Sequence, residues 1–266
     1  MQTVTSADGT EIAYETHDES GGPPLVLLHG GGTHRYWDPV VPALAEAYSL
    51  SVPARRGRGA SGDDETYSLR KEVEDALAVI DVVDGDPALY GHSFGGLQAI
   101  EAARVADISA VVAYEPAILV GEYRETADLA DRMEARLDAG DRREAMKLHL
   151  REVLHDDVSD AEFEAWLDGW EGWPHCVEHV ELDYRMDRAV ERYDLPGTLD
   201  VGAPALLLTG SEGPSHLGDS VRAARDALVE SRLVEFDGVG HNGPVTAAGR
   251  VTSTVREFLD ERLATV

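Results

Sequence analysis

The pentapeptide Gly91-His92-Ser93-Phe94-Gly95 sets one hydroxyl between two glycines. Glycines there permit a turn too tight for side chains, and such a turn lifts a serine clear of a sheet edge with its backbone strained. The flanks suit that geometry, since Ala88–Tyr90 reads as a short strand and Gly95–Val105 as a helix. The first N–H groups of that helix would aim at an oxyanion forming beside Ser93, which makes the Phe94 amide a candidate donor. A second glycine run, His29-Gly30-Gly31-Gly32, follows the apolar Pro24–Leu28. There the backbone can approach a substrate carbonyl, and an amide of Gly31 or Gly32 can complete an oxyanion hole. A serine hydroxyl also needs a base. Among ten histidines, His241 lies in the loop Gly238-Val239-Gly240-His241-Asn242-Gly243, after the last expected strand. That loop reaches the same sheet edge as Ser93, so His241 is the expected general base. His29, beside the glycine run, and His92, beside the serine, are read as supporting or packing residues rather than bases. The chemistry open to this set is attack on an acyl carbon.

Other groups are weighed against blander roles. Arg55, Arg56 and Arg58 could grip a carboxylate or phosphate, but in so acidic a chain local ion pairs are the stronger reading. His175 and His179 are four apart around Cys176, a helical metal-ligand spacing, yet no further ligand is expected beside them and no metal site is assigned. Trp166, Trp170 and Trp173 recur at helix-like intervals and are expected to pack a helical segment onto the main domain, with one face left to line an acyl pocket. Tyr36 and Trp37 fall between core and pocket wall. The Gly30-Gly31-Gly32 run lacks the rest of a dinucleotide fingerprint or a P-loop.

These residues must be positioned by alternating strands and helices. Gln2–Thr5 and Glu11–Thr16 around Asp8-Gly9 read as a hairpin. Strands are expected at Pro24–Leu28, Leu50–Val52, Ala88–Tyr90, Ile108–Tyr114, Ala205–Thr209 and Leu233–Phe236. Helices are expected at Leu69–Val82, Gly95–Val105, Ser220–Val229 and about Ala247–Leu263. Alternation implies a mostly parallel sheet covered on both faces. From Ala117 to Leu199 the pattern is helical throughout. Residues 1–116 and 200–266 are therefore expected to form an α/β core, and 117–199 an inserted helical cap.

The charge balance narrows the partners. Lys+Arg 23 against Asp+Glu 51 gives a net charge of −28, and Lys71 and Lys147 are the two lysines. Such a surface repels phosphate backbones and anionic lipid, so neither nucleic acid nor a membrane is an expected partner. The acidity is spread along the chain, as solvation in molar salt would favour, and an intracellular halophilic protein is expected. The single cysteine, Cys176, cannot form an internal disulfide, and Met1–Asp8 lacks a basic region followed by an apolar run. A cytoplasmic protein is the expectation.

Together His29-Gly30-Gly31-Gly32, the loop Arg56-Gly57-Arg58-Gly59-Ala60-Ser61-Gly62, the run Gly91-His92-Ser93-Phe94-Gly95-Gly96 and Gly240-His241 resemble the α/β-hydrolase superfamily over nearly the whole chain. In order they are similar to its oxyanion loop, its post-strand glycine loop, its nucleophile elbow and its catalytic histidine. The resemblance implies an eight-stranded sheet with a helical cap after the sixth strand. It also implies a triad acid, most often third after the glycine ending the seventh strand. Here that glycine is Gly210 and the third position holds Gly213. Glu212 lies one position earlier, and Glu115 ends the sixth strand in Tyr114-Glu115-Pro116, a place some members use. Serine, acid and histidine follow in order with either. Glu115 is preferred because a strand end holds it more firmly than a loop.

The expected function is hydrolysis of a carboxylic ester or related acyl bond of a small molecule. Ser93 would be the nucleophile, His241 the base, Glu115 or Glu212 the acid, and Gly31 and Phe94 the oxyanion donors, with no cofactor. An acyltransferase or lyase on the same fold, or a non-catalytic ligand-binding protein, are the alternatives.

Overall fold

The computed structural model describes residues 1–154 and 158–263. Eight strands, β1 (Gln2–Thr5), β2 (Glu11–His17), β3 (Pro24–Leu28), β4 (Ser49–Pro53), β5 (Ala88–His92), β6 (Ala110–Tyr114), β7 (Ala205–Gly210) and β8 (Ser231–Phe236), form one sheet. Their order is β1-β2-β4-β3-β5-β6-β7-β8. β1 and β2 are an antiparallel hairpin, β2 runs antiparallel to β4, and every pairing from β4 through β3 to β8 is parallel. The hairpin forms where Gly9 takes φ +91°, a conformation the Asp8-Gly9 pair was expected to supply.

Alternation along β6 shows how the sheet is covered. Val111 and Ala113 join one apolar cluster with Val79, Ile100 and Val221, while Val112 and Tyr114 join another with Trp37, Leu44 and Phe258. Side chains of period two thus face two buried layers, as a parallel sheet requires. The first layer is supplied by α2 (Leu69–Ile80), α3 (Phe94–Ala103) and α10 (Ser215–Ala227), and the second by α1 (Val41–Ala45) and α12 (Ala248–Leu263), which follows the one-turn α11 (Gly243–Thr246). Helix α10 starts five residues before its expected Ser220, because Pro214 fits a position just outside a helix and stops the extended chain there.

Between β6 and β7 lie α4 (Gly121–Glu125), α5 (Leu129–Asp138), α6 (Arg142–Leu154), α7 (Asp160–Gly169), α8 (Trp173–Glu178) and α9 (Val180–Glu191). These helices bury their own cluster, with Met133, Met146, Leu150, Phe163 and Trp173 at its centre. The expectation that the tryptophans pack these helices onto the main domain is corrected here, while Trp166 and Trp170 do line a cavity beside Ser93. Trp173 is buried in that cluster and Trp166 and Trp170 pack against it, so they hold the helices to one another rather than to the sheet. Helical spacing puts an aromatic on an inner face but does not say which core that face meets. Contact with the sheet-bearing part runs instead through Met186 and Val190 of α9, which pack on Phe94. No helix among the described residues is long and apolar enough to cross a membrane.

Candidate functional site

All the candidate residues leave the sheet at the carboxyl ends of β3, β5, β6, β7 and β8, the edge where open α/β sheets form their crevice. The β5–β6 register pairs His92 with Tyr114, so Ser93 and Glu115 step off the sheet side by side. Both bend sharply. Ser93 has φ +55° and ψ −122°, and Glu115 has φ +41°. They are the two non-glycine residues with positive φ among the described residues. Such backbone costs of order 1–3 kcal/mol and persists only where surrounding contacts over-determine it. Those contacts are present: the Ser93 N–H donates to Tyr114 O at 2.9 Å, and Ser93 O accepts from Gly96, Leu97 and Ala117.

The flanking glycines are required sterically. A Cβ on Gly91 would lie 2.1 Å from Gly95 O, and one on Gly95 would lie 2.1 Å from Leu28 O. A Cβ on Gly30 would come within 2.8 Å of Ser93 Cβ. The glycine run after β3 therefore packs against the serine itself. Phe94 is the first residue of α3, so its N–H precedes every acceptor of that helix.

His241 and Glu115 meet. His241 Nδ1–H donates to Glu115 Oε2 at 2.7 Å, with both residues buried. Glu115 Oε1 accepts from Thr209 Oγ1 at 2.8 Å and from the Gly210 N–H at 3.0 Å. Burial alone would raise the Glu115 carboxyl, but these donors, His241 first among them, hold it below its ordinary value. Glu212 stays exposed in the next loop and is joined to Val239 O through its backbone. The structure thus brings Glu115, and not Glu212, to the histidine.

Two side chains position the histidine loop: His92, which the sequence left as a supporting or packing residue, and Tyr114, which it did not single out. His92 Nε2–H donates to His241 O at 2.9 Å, and burial pushes its imidazole well below the ordinary value, keeping it neutral. Tyr114 donates to Gly240 O at 2.7 Å. Tyr36 stacks on the His92 ring at 4.4 Å. His29 is likewise neutral and buried: its Nε2 accepts from the Arg55 N–H, so its Nδ1–H donates to Gly30 O. No spacing rule flags Tyr114, because its value lies in where its hydroxyl ends.

Ser93, His241, Gly31 and Gly32 line a cavity of about 580 Å³ whose walls are mostly apolar, with Leu129, Met146, Leu150, Trp166 and Leu217 among them. Cys176 also lines it, but burial pushes its thiol up to about 12, which keeps it protonated at neutral pH. The three arginines are buried and already paired. Arg55 forks onto Glu72, Arg56 onto Asp75, and Arg58 reaches Asp183 at 2.7 Å. On the surface, Glu178 joins His175 and His179, whose donor atoms lie within 4.8 Å of one another. The expectation that no further ligand sits near is corrected: residues three and four apart share one helical face.

The chain is similar to known proteins in sequence and in overall fold. The model of the alpha/beta hydrolase family matches residues 25–253. "Putative non-heme bromoperoxidase BpoC" of Mycobacterium tuberculosis is 29% identical, over 93% of this chain and 97% of its own. Lipase LipV of the same species is 26% identical, over 95% and 99%. Among solved structures, an alpha/beta hydrolase from Sphaerobacter thermophilus is 27% identical, covers 94% of this chain and 99% of its own, and superposes with a TM-score of 0.78.

Proposed function

This chain belongs to the alpha/beta hydrolase family, and from that premise we propose that it is a serine hydrolase cleaving a carboxylic ester or related acyl bond of a small molecule. One observation carries this reading above the others. The buried Glu115–His241 hydrogen bond stands at the same cavity as the strained Ser93.

In the proposed reaction Ser93 Oγ attacks the acyl carbon while His241 Nε2 takes the hydroxyl proton. Glu115 fixes the tautomer that leaves Nε2 free to accept it and stabilises the imidazolium that results. The amides of Phe94 and Gly31 hold the oxyanion of the tetrahedral intermediate. The carbon–oxygen bond to the leaving group then breaks, and His241 returns its proton to that oxygen. Water enters, gives a proton to His241 and attacks the acyl-Ser93 ester; the carbon–Oγ bond then breaks as His241 returns the proton to Ser93 Oγ, releasing the acid. Every step uses groups of this chain and water. The acidic, lysine-poor surface supports work in a cytoplasm of high ionic strength, so assays belong in molar salt.

The test is labelling by a fluorophosphonate together with p-nitrophenyl ester turnover, comparing the native protein with Ser93→Ala and His241→Ala. Labelling and turnover in the native protein alone are expected. A folded native protein that neither labels nor turns over a small ester would sink the reading in favour of ligand binding. An added alcohol, if it intercepts the acyl group in preference to water, would turn the reading to acyl transfer.

A further inference from the structure

A second histidine–carboxylate pair lines the same cavity, supplied by the helices between β6 and β7. His149 of α6 is buried, and its Nδ1–H donates to Asp187 Oδ2 of α9 at 2.7 Å. The other ring nitrogen, Nε2, has no hydrogen-bond partner among the described residues. It lies 3.9 Å from the point where a Cβ on Gly31 would stand. Asp183, one turn earlier on α9, has Oδ1 3.7 Å from that point and accepts from Arg58, which also donates to Gly32 O at 2.8 Å. The glycine run that packs on Ser93 is thus bracketed from above by His149.

The groups facing His149 fix its protonation. Asp187 and Asp183 face it from α9 and Arg58 from the loop after β4, while Arg55 acts on Asp183 and Glu152 on Asp187 around them. Burial alone would lower the imidazole, but Asp187 and then Asp183 raise it to about 9, against a smaller opposing push from Arg58. At neutral pH it is an imidazolium, and Nε2 is a charged N–H donor opening on the cavity.

We propose that His149 Nε2–H is a substrate-binding donor that selects acyl groups carrying a neutral acceptor oxygen close to the scissile carbonyl, a specificity that rests on the hydrolase reading. His241 must face the leaving-group oxygen, so a donor beside Gly31 faces the acyl substituent instead. The oxygen is neutral because each cation here already has its acid: Arg55 with Glu72, Arg58 with Asp183 and His149 with Asp187. A substrate carboxylate would bring an unmatched charge beside Asp183. The remaining wall is apolar, so the class is an ester with a hydrophobic body and an ether, keto or hydroxyl oxygen near the carbonyl.

The experiment compares p-nitrophenyl methoxyacetate with p-nitrophenyl butyrate, which differ by one oxygen for one methylene, and reads the ratio of their kcat/KM. Comparing native protein with His149→Leu cancels the intrinsic reactivity difference. A hydrogen bond from a charged donor is worth about 1.5–3 kcal/mol, so the ratio is expected to fall at least about tenfold in the variant. In the native protein the ratio should also fall as pH rises through about 9, background hydrolysis subtracted. Deprotonation leaves the remaining proton on Nδ1 against Asp187 and turns Nε2 into an acceptor. A merely structural histidine would not link preference to pH in this way. If His149→Leu does not fold, the native pH profile decides alone. A ratio independent of pH, or unchanged by the substitution, with butyrate still hydrolysed, overturns this inference and leaves the hydrolase reading standing. Failure to hydrolyse either ester, with Ser93 unlabelled, overturns both.

Discussion

Two buried histidines face one cavity, each donating Nδ1–H to a carboxylate at 2.7 Å, yet their surroundings differ. Glu115 sits on a bent strand end where Thr209 and the Gly210 N–H also donate to it, which holds its carboxyl low. Asp187 sits mid-helix, where burial pushes its carboxyl up and Asp183 and Glu152 add to the push. His241 lies in a glycine loop tied down by His92 and Tyr114, whereas His149 is clamped within α6 beside two acids. The same pair of side chains can orient a base or hold a cation. Which one results depends on how many other donors and acids share the carboxylate.

Ser93→Ala should break the first of these sites most completely. Turnover is expected to fall by about 10⁴-fold or more, with fluorophosphonate labelling lost and the circular-dichroism spectrum kept. Glu115→Gln comes next, at about 10³–10⁴-fold in kcat, because the amide cannot favour the required tautomer. Glu212→Gln should change kcat less than about twofold, and the reverse ranking in steady-state assays would dissolve the comparison. Gly30→Ala follows, since its methyl would press on Ser93 Cβ from 2.8 Å. A displaced nucleophile costs about 10²-fold, readable as slower labelling at unchanged fold.

The smallest effect sharpens the contrast through stability. The raised His149 contributes stability that is fully present below its ordinary value of 6.5 and lost as pH climbs through about 9. Between pH 7 and pH 10 the native Tm should therefore drop by roughly 2–6 °C more than that of His149→Leu, as calorimetry in molar salt would register. Equal drops would remove His149 as the titrating group.

The strands and the elbow were legible because they depend on local chemistry. Five of the eight expected strands needed only apolar runs bounded by turns, the first two needed the Asp8-Gly9 turn between them, and Leu50–Val52 extended to Ser49–Pro53 once β2 and β3 paired with it. The short α1 escaped because five residues carry no period. Between Glu115 and Glu212 the residue pattern offered grounds for a preference but not for a decision. It turns on the β6–β7 register, which sets Tyr114 against Leu208 and so brings Thr209 and Gly210 to the Glu115 carboxylate.

What the sequence by itself determined is the glycine-framed serine, the glycine run that must lie close to it, the histidine in its loop and the alternation that builds a parallel sheet. Each follows from backbone conformations that only certain residues adopt over a few neighbouring positions. What only the tertiary structure decided is pairing across distance. Glu115 finds His241 126 residues away, and His149 finds Asp187 38 residues away. Protonation of a buried group is set by whichever charges the fold packs against it, and no spacing in the chain records which those will be.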